Sequence, residues 1–157
     1  VEMPAEHGNE KNVINIRTMT VQDCGAVSEI EKSCFSDAWS QAMFEDLFRY
    51  PTNYYLVAEA GGDIVGFGGS CISIETADVM NIAVVEAFRG RGIGGRLLAA
   101  LLEQAEKSDC ERMLLEVRES NQAARWLYQN YGFIELNVRR NYYKDPVEYA
   151  VIMCRTV

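Results

Sequence analysis

The sequence is poor in the residues on which many metal and catalytic centres rely. Its 157 residues include a single histidine, His7, set in a polar N-terminal stretch. That supply argues against a histidine-bound metal and against a mechanism built on a catalytic histidine. The five cysteines (Cys24, Cys34, Cys71, Cys110 and Cys154) are odd in number, and no two have the spacing of a C-x-x-C pair. Neither a structural zinc nor a dithiol redox site is expected; reduced, packed thiols are. Basic charge is scarce as well, with 15 lysines and arginines against 23 acids and a net charge of −8. Non-specific nucleic-acid binding is therefore not expected, while a cationic partner and plain solubility both fit. No apolar run approaches the roughly 20 residues of a membrane span, and no basic stretch followed by an apolar one opens the chain. A cytoplasmic protein without membrane contact is the expectation.

What is present suits one globular domain. Hydrophobic residues make up 48% and charged residues 24%, over a length able to bury a core. Residues 1–12 are polar and aperiodic and read as a flexible leader, leaving 13–157 as the domain. Val13–Arg17 alternates as a short strand. Thr20 caps a helix, with Asp23 in the capping-box position and Cys24, Val27, Ile30 and Cys34 on its apolar face. After Phe35–Trp39 breaks that pattern, Ser40 caps a second short helix with Met43, Leu47 and Phe48 inward, ending before Pro51.

Tyr54–Ala60 and Ile64–Ile74 form a hairpin through Gly61-Gly62-Asp63, and Val79–Val85 is a third strand of that group. A glycine-rich loop then opens a helix to about Lys107, whose buried face is Ile93, Leu97, Leu101 and Ala105. Met113–Val117 reads as a strand buried on both faces. Ser120 or Asn121 caps a last helix with Ala124, Leu127, Tyr128 and Tyr131 inward, closed by Gly132. Phe133–Tyr142 and Glu148–Arg155 end the chain as strands around the turn Lys144-Asp145-Pro146. The order predicts an α/β (α+β) fold, a mixed sheet of about seven strands flanked by about four helices.

The loop Arg89-Gly90-Arg91-Gly92-Ile93-Gly94-Gly95 carries the functional signal. Backbone N–H groups directed out of such a loop, at a helix N-terminus, hold an anion. Gly90 to Gly95 satisfies the G-x-G-x-x-G of dinucleotide sites, with Glu116 near the ribose-binding position. Against that, Glu86–Arg89 separate strand from glycine, and too few strand–helix units follow. A Walker A loop fails because Leu97 stands where a Mg²⁺-binding hydroxyl is required.

Set between an apolar strand and a helix, Arg89-Gly90-Arg91-Gly92-Ile93-Gly94 resembles the pyrophosphate loop of the Gcn5-related N-acetyltransferase superfamily. Asn81-Ile82-Ala83-Val84, Leu115-Glu116-Val117-Arg118, Ser120-Asn121-x-x-Ala124, Leu127-Tyr128-x-x-Tyr131-Gly132-Phe133 and Arg139-Arg140-Asn141-Tyr142-Tyr143 follow in order. Together they look like the RimI branch, the N-terminal alanine acetyltransferases of ribosomal proteins. The resemblance implies acetyl-CoA as co-substrate, in a cleft between the fourth and fifth strands. Its pyrophosphate would lie on the loop from Arg89 to Gly95 (Arg89, Gly90, Arg91, Gly92, Ile93, Gly94 and Gly95). Its pantetheine arm would run beside Ile82, Ala83 and Val84, with the Val84 N–H polarising the thioester carbonyl.

The resemblance also assigns Glu116 as a general base acting through water and Tyr128 as the proton donor to the departing thiolate. Read by pattern alone, Glu116 is equally a partner of Arg118 or Arg112. A carboxylate in a strand buried on both sides is expected to titrate high. Tyr128 by spacing is a core residue, and Asn121 is a cap, a cofactor contact or both. Phe35, Trp39, Tyr142 and Tyr143 are the expected peptide-groove residues, or ordinary core and surface aromatics. Asp37, Glu45 and Asp46 would attract a basic tail, such as the N-terminus of a small-subunit ribosomal protein. Two other outcomes keep the fold: acetylation of lysine or a small amine, and a non-catalytic CoA-binding module.

Overall fold

Alternation and helical spacing place most elements within a few residues of the predicted bounds. The structure is a computed structural model that describes residues 13–157; the expected leader at residues 1–12 lies outside the described residues. β1 (Ile14–Thr18) leads to α1 (Cys24–Cys34) and the short α2 (Gln41–Asp46), then to β2 (Asn53–Ala60), β3 (Asp63–Ile72) and β4 (Thr76–Val84). α3 (Ile93–Lys107), β5 (Arg112–Arg118), α4 (Gln122–Asn130), β6 (Ile134–Tyr143) and β7 (Glu148–Thr156) complete the order. The seven strands form one sheet in the order β1-β2-β3-β4-β5-β7-β6. Its neighbours are antiparallel except for β4 and β5. A dinucleotide fold needs a doubly wound parallel sheet, so that reading of the glycine loop is set aside.

The β2–β3 hairpin shows how local chemistry sets the register. Gly61 and Gly62 have φ of 57° and 84°, the double positive φ of the two-residue turn that follows strand twist. Ala60 is thereby paired with Asp63. Side chains of β2 then alternate between two cores. Leu56 and Ala58 pack with α3, while Tyr55 and Val57 pack with α1 and α2. On α3, Ile93, Leu97, Leu98, Leu101, Leu102 and Ala105 are buried, each large aliphatic chain contributing about 1.5–3 kcal/mol.

Two expectations change. In α2 the inward residue is Phe44, which is fully buried, whereas Met43 and Phe48 are 48% and 44% exposed. The helix ends at Asp46 and tightens into a 3₁₀ turn at Leu47–Arg49, so the expected spacing is not kept. Phe44 instead wedges between Trp39 and Phe67, with ring centroids 5.4 and 5.5 Å away. β5 is buried on one face only, through Met113, Leu115 and Val117, while Leu114 and Glu116 are half-buried. The cause is the neighbouring strand: β4 pairs with β5 only from Thr76 to Asp78, opposite Arg112 to Leu114.

Candidate active site

Beyond Asp78 and Leu114 the two parallel strands diverge, and the fork opens into a cavity of about 1220 Å³. β4 from Asp78 to Ile82 and β5 from Leu114 to Arg118 form two walls, and the α1–α2 loop, α4 and the β6–β7 turn close the others. β3 covers only one edge of β4 here, so alternate backbone groups on the other edge face the fork, ready for an extended ligand. The Val84 carbonyl accepts from Arg89 Nε at 3.0 Å and lies 3.8 Å from the Cys34 thiol. Within a strand the N–H and C=O of one residue point the same way, which turns the Val84 N–H from β3 as well.

The glycine loop adjoins the end of β4. Gly90 and Gly92 have φ of 77° and 78°, a conformation that side-chain-bearing residues rarely adopt. Gly92 is the N-cap of α3 and offers no side-chain cap. The first-turn N–H groups therefore lack an acceptor from their own helix and suit a pyrophosphate. A Cβ on Gly95 would collide with the Tyr131 hydroxyl, so this glycine lets the helix approach α4. Arg89 is exposed but folds back onto the end of β4: its guanidinium bonds Val84 O and lies 3.4 Å from Cys34 Sγ. It ties the loop to the strand end. Arg91 stacks over Phe88 at 4.6 Å.

Of the expected residues, the cavity gathers Phe35, Trp39, Ile82, Glu116, Asn121, Tyr128, Tyr142 and Tyr143. Ala83, Val84 and Arg89–Gly95 do not line it; they continue past Cys34, which borders it and contacts both Val84 and Arg89. Asn121 caps α4, its Oδ1 accepting the Ala124 N–H at 3.1 Å, and also lines the cavity. Tyr128, 8% exposed, packs against Phe133 at 5.9 Å. Burial pushes its phenol up to about 12, so the hydroxyl keeps its proton at neutral pH.

Glu116 departs from expectation. Its side chain is 30% exposed, so the full burial expected of it is not reached, and it pairs with Arg139 Nη1 at 3.3 Å and not with Arg112 or Arg118. Tyr142 lies beside Glu116, and that carboxylate, more than burial, raises the phenol's pKa. Arg118 does separate work. It donates to Lys144 O at 2.8 Å, Pro146 O at 3.0 Å and Ser36 Oγ at 3.4 Å, pairs with Glu148 at 3.3 Å, and stacks 4.5 Å over Tyr143. The β6–β7 turn and the α1–α2 loop are thereby joined across the cavity mouth.

Three acidic or basic residues of the site are assigned no role by the motifs. Asp78, at the fork, has its carboxyl pushed up by burial and then by the charge of Glu116. Arg139 covers Glu116 from an exposed strand, which no periodicity marks. Glu31 is buried on α1 and borders the cavity. It did leave a signal, because Cys24, Val27, Ser28 and Glu31 share one helical stripe and all are buried.

Sequence comparison places this geometry among known proteins. The Acetyltransferase (GNAT) family profile matches residues 25–133. The [ribosomal protein bS18]-alanine N-acetyltransferase of Escherichia coli (strain K12) is 34% identical over 142 residues, covering 88% of this chain and 94% of that protein. N-alpha-acetyltransferase RimI of Mycobacterium tuberculosis is 36% identical over 137 residues, covering 83% and 85%. Among solved structures, the ribosomal-protein-S18-alanine N-acetyltransferase from Escherichia coli superposes with a TM-score of 0.85 at 31% identity, covering 92% of this chain and 94% of that one. With the profile across most of the domain and relatives alike over nearly their full length, the chain belongs to the Acetyltransferase (GNAT) family.

Proposed function

We propose that this chain transfers the acetyl group of acetyl-CoA to the α-amine of a protein that begins with alanine, a small-subunit ribosomal protein in the first instance. One observation carries the reading: a carboxylate, Glu116, and a proton-bearing phenol, Tyr128, open onto one cavity at the fork of β4 and β5. Acetyl transfer to an amine needs a base on one side of the thioester and an acid on the other. The relatives named for bS18 alanine acetylation support the choice of substrate.

In this scheme the amides of the Arg89–Gly95 loop hold the pyrophosphate, and the outer edge of Ile82–Val84 pairs with the amides of the pantetheine arm. The Val84 N–H polarises the thioester carbonyl. Glu116 accepts the proton of the incoming ammonium, whose positive charge takes the place of Arg139. Tyr128 gives its proton to the departing thiolate. Phe35, Trp39, Tyr142 and Tyr143 wall the peptide groove, clamped by Arg118. An α-ammonium titrates near 7.7–8.0 and a lysine near 10.4, so at neutral pH the lysine costs about 3–4 kcal/mol more to deprotonate. The lower cost favours the α-amine.

A panel of short peptides differing in their first two residues, incubated with acetyl-CoA, tests the reading. Acetyl mapped by mass spectrometry to the α-amine of alanine-started peptides is the expected result. Acetyl on lysine side chains would reassign the amine, and no transfer to any amine would favour a CoA-binding module.

A further inference from the structure

Glu31 is 2% exposed and borders the cavity, yet its hydrogen bonds come from neutral groups. The Trp39 N–H donates to Oε2 at 3.1 Å, and Asn81 Nδ2 donates to Oε1 and Oε2, each at 3.1 Å. Asn81 in turn accepts the Tyr55 hydroxyl on Oδ1 at 2.6 Å. The Tyr55 ring lies over Gly69, where a Cβ would collide with it. Gly69 pairs with Asn81 while Ser70 pairs with Val79, so β4 bulges at Met80 and Asn81 is the first residue beyond the bulge. Four separate segments thus meet through one chain of contacts: β2 at Tyr55, β4 at Asn81, α1 at Glu31, and the loop at Trp39.

The ends of this chain are functional surfaces. Asn81 opens the stretch Ile82–Val84 that faces the acetyl donor in the proposed scheme. Trp39 closes the loop that forms the peptide wall. A carboxylate only accepts hydrogen bonds, so it compels Asn81 to present its NH₂ inward and its oxygen to Tyr55. A neutral amide at position 31 would let Asn81 stand either way, because the Tyr55 hydroxyl can donate or accept. The charge therefore selects one arrangement, as buried polar networks do when every member is matched.

Resting on the acetyl-transfer reading, we propose that Glu31 is a positioning residue that holds the peptide-facing loop in register with the bulged strand β4 through Asn81 and the Trp39 amide. Glu31→Gln loosens this tie. Its peptide KM is expected to rise about tenfold, the loss of roughly one charge-assisted hydrogen bond, while acetyl-CoA affinity and Tm stay near wild type. The double variant Glu31→Gln/Asn81→Asp moves the charge from α1 to β4. The carboxylate now on β4 can accept from Tyr55 and from the side-chain amide now on α1, whose own oxygen accepts from the Trp39 N–H. The peptide KM is then expected to return to near the wild-type value.

Hydrogen exchange at the Trp39 amide reads the same tie without substrate and is expected to accelerate in Glu31→Gln alone. Unchanged Trp39 exchange, an unchanged peptide KM in an active enzyme, or a folded double variant that fails to recover would each overturn the proposal. An equal loss in kcat and both KM values together with a lower Tm would do so too, by making Glu31 merely structural. If the wild-type protein acetylates no peptide, acetyl transfer fails as a reading, and exchange alone decides whether the tie exists.

Discussion

Tyr128 and Glu116 sit on the same cavity but were legible to different degrees. Tyr128 belongs to the apolar stripe of α4 and is buried, as its spacing says; only its position at the cavity adds chemistry. Tyr128→Phe removes one oxygen and leaves the packing against Phe133 in place. We expect normal folding with kcat lowered about 10²–10⁴-fold, the usual share of a general acid, measured by steady-state acetylation of an alanine-started peptide. Glu116→Gln should lower kcat over the same range in the same assay. The sequence placed Glu116 in a strand correctly and its burial wrongly. Nothing in Met113–Val117 records that β4 parts from β5 two residues earlier, since strand pairing is set by partners far along the chain. The pairing of Arg139 with Glu116 was invisible for the same reason.

At the scale of elements, periodicity served well where a segment makes its own pattern. The α3 stripe, the β2–β3 hairpin and the Asn121 cap all follow from local chemistry. α2 did not, because six residues and a 3₁₀ turn are too short for a stripe to declare its face. Leu101 is fully buried on α3, and Leu101→Ala should cost about 2–5 kcal/mol, read as a lower denaturation midpoint. Gly92→Ala acts differently. A Cβ there meets no atom, but φ is 78°. The expected result is modest destabilisation, about 1 kcal/mol, with a larger loss in acetyl-CoA affinity by calorimetry as the loop relaxes away from its cradle.

For the whole molecule, two buried acids pull stability in opposite directions with pH. Arg17 holds Asp23 down from 3.8 to about 2, with contacts of 2.7 and 2.8 Å. A depressed folded value means stability present above the ordinary carboxylate pKa and lost as pH falls through 4 toward 2. The shift corresponds to at most about 2 kcal/mol, since Arg17 is one-third exposed. Glu31 is raised by burial, so its ionisation works against folding as pH rises through its folded value. Asp23→Asn should therefore lower Tm at pH 7 and weaken its decline in acid. Glu31→Gln should leave Tm at pH 7 within a few degrees, about 2–4 °C per kcal/mol for this chain length. The net charge of −8 adds a kinetic expectation: the KM of a basic peptide should climb with salt.

The fork between β4 and β5 also makes the sheet two plates joined by a short seam. Three residue pairs, Thr76–Arg112, Ala77–Met113 and Asp78–Leu114, carry the pairing that crosses its middle. Whatever fills the fork becomes a stitch between the plates, so donor binding should stiffen both plates at once. At 100 times Kd, acetyl-CoA adds about 2.7 kcal/mol, which at the slope above should raise Tm by roughly 5–10 °C. Amide exchange should slow together in β4 and in the β5–β7–β6 plate. Protection confined to β4 and the glycine loop would mean that the seam, and not its occupant, already holds the halves together.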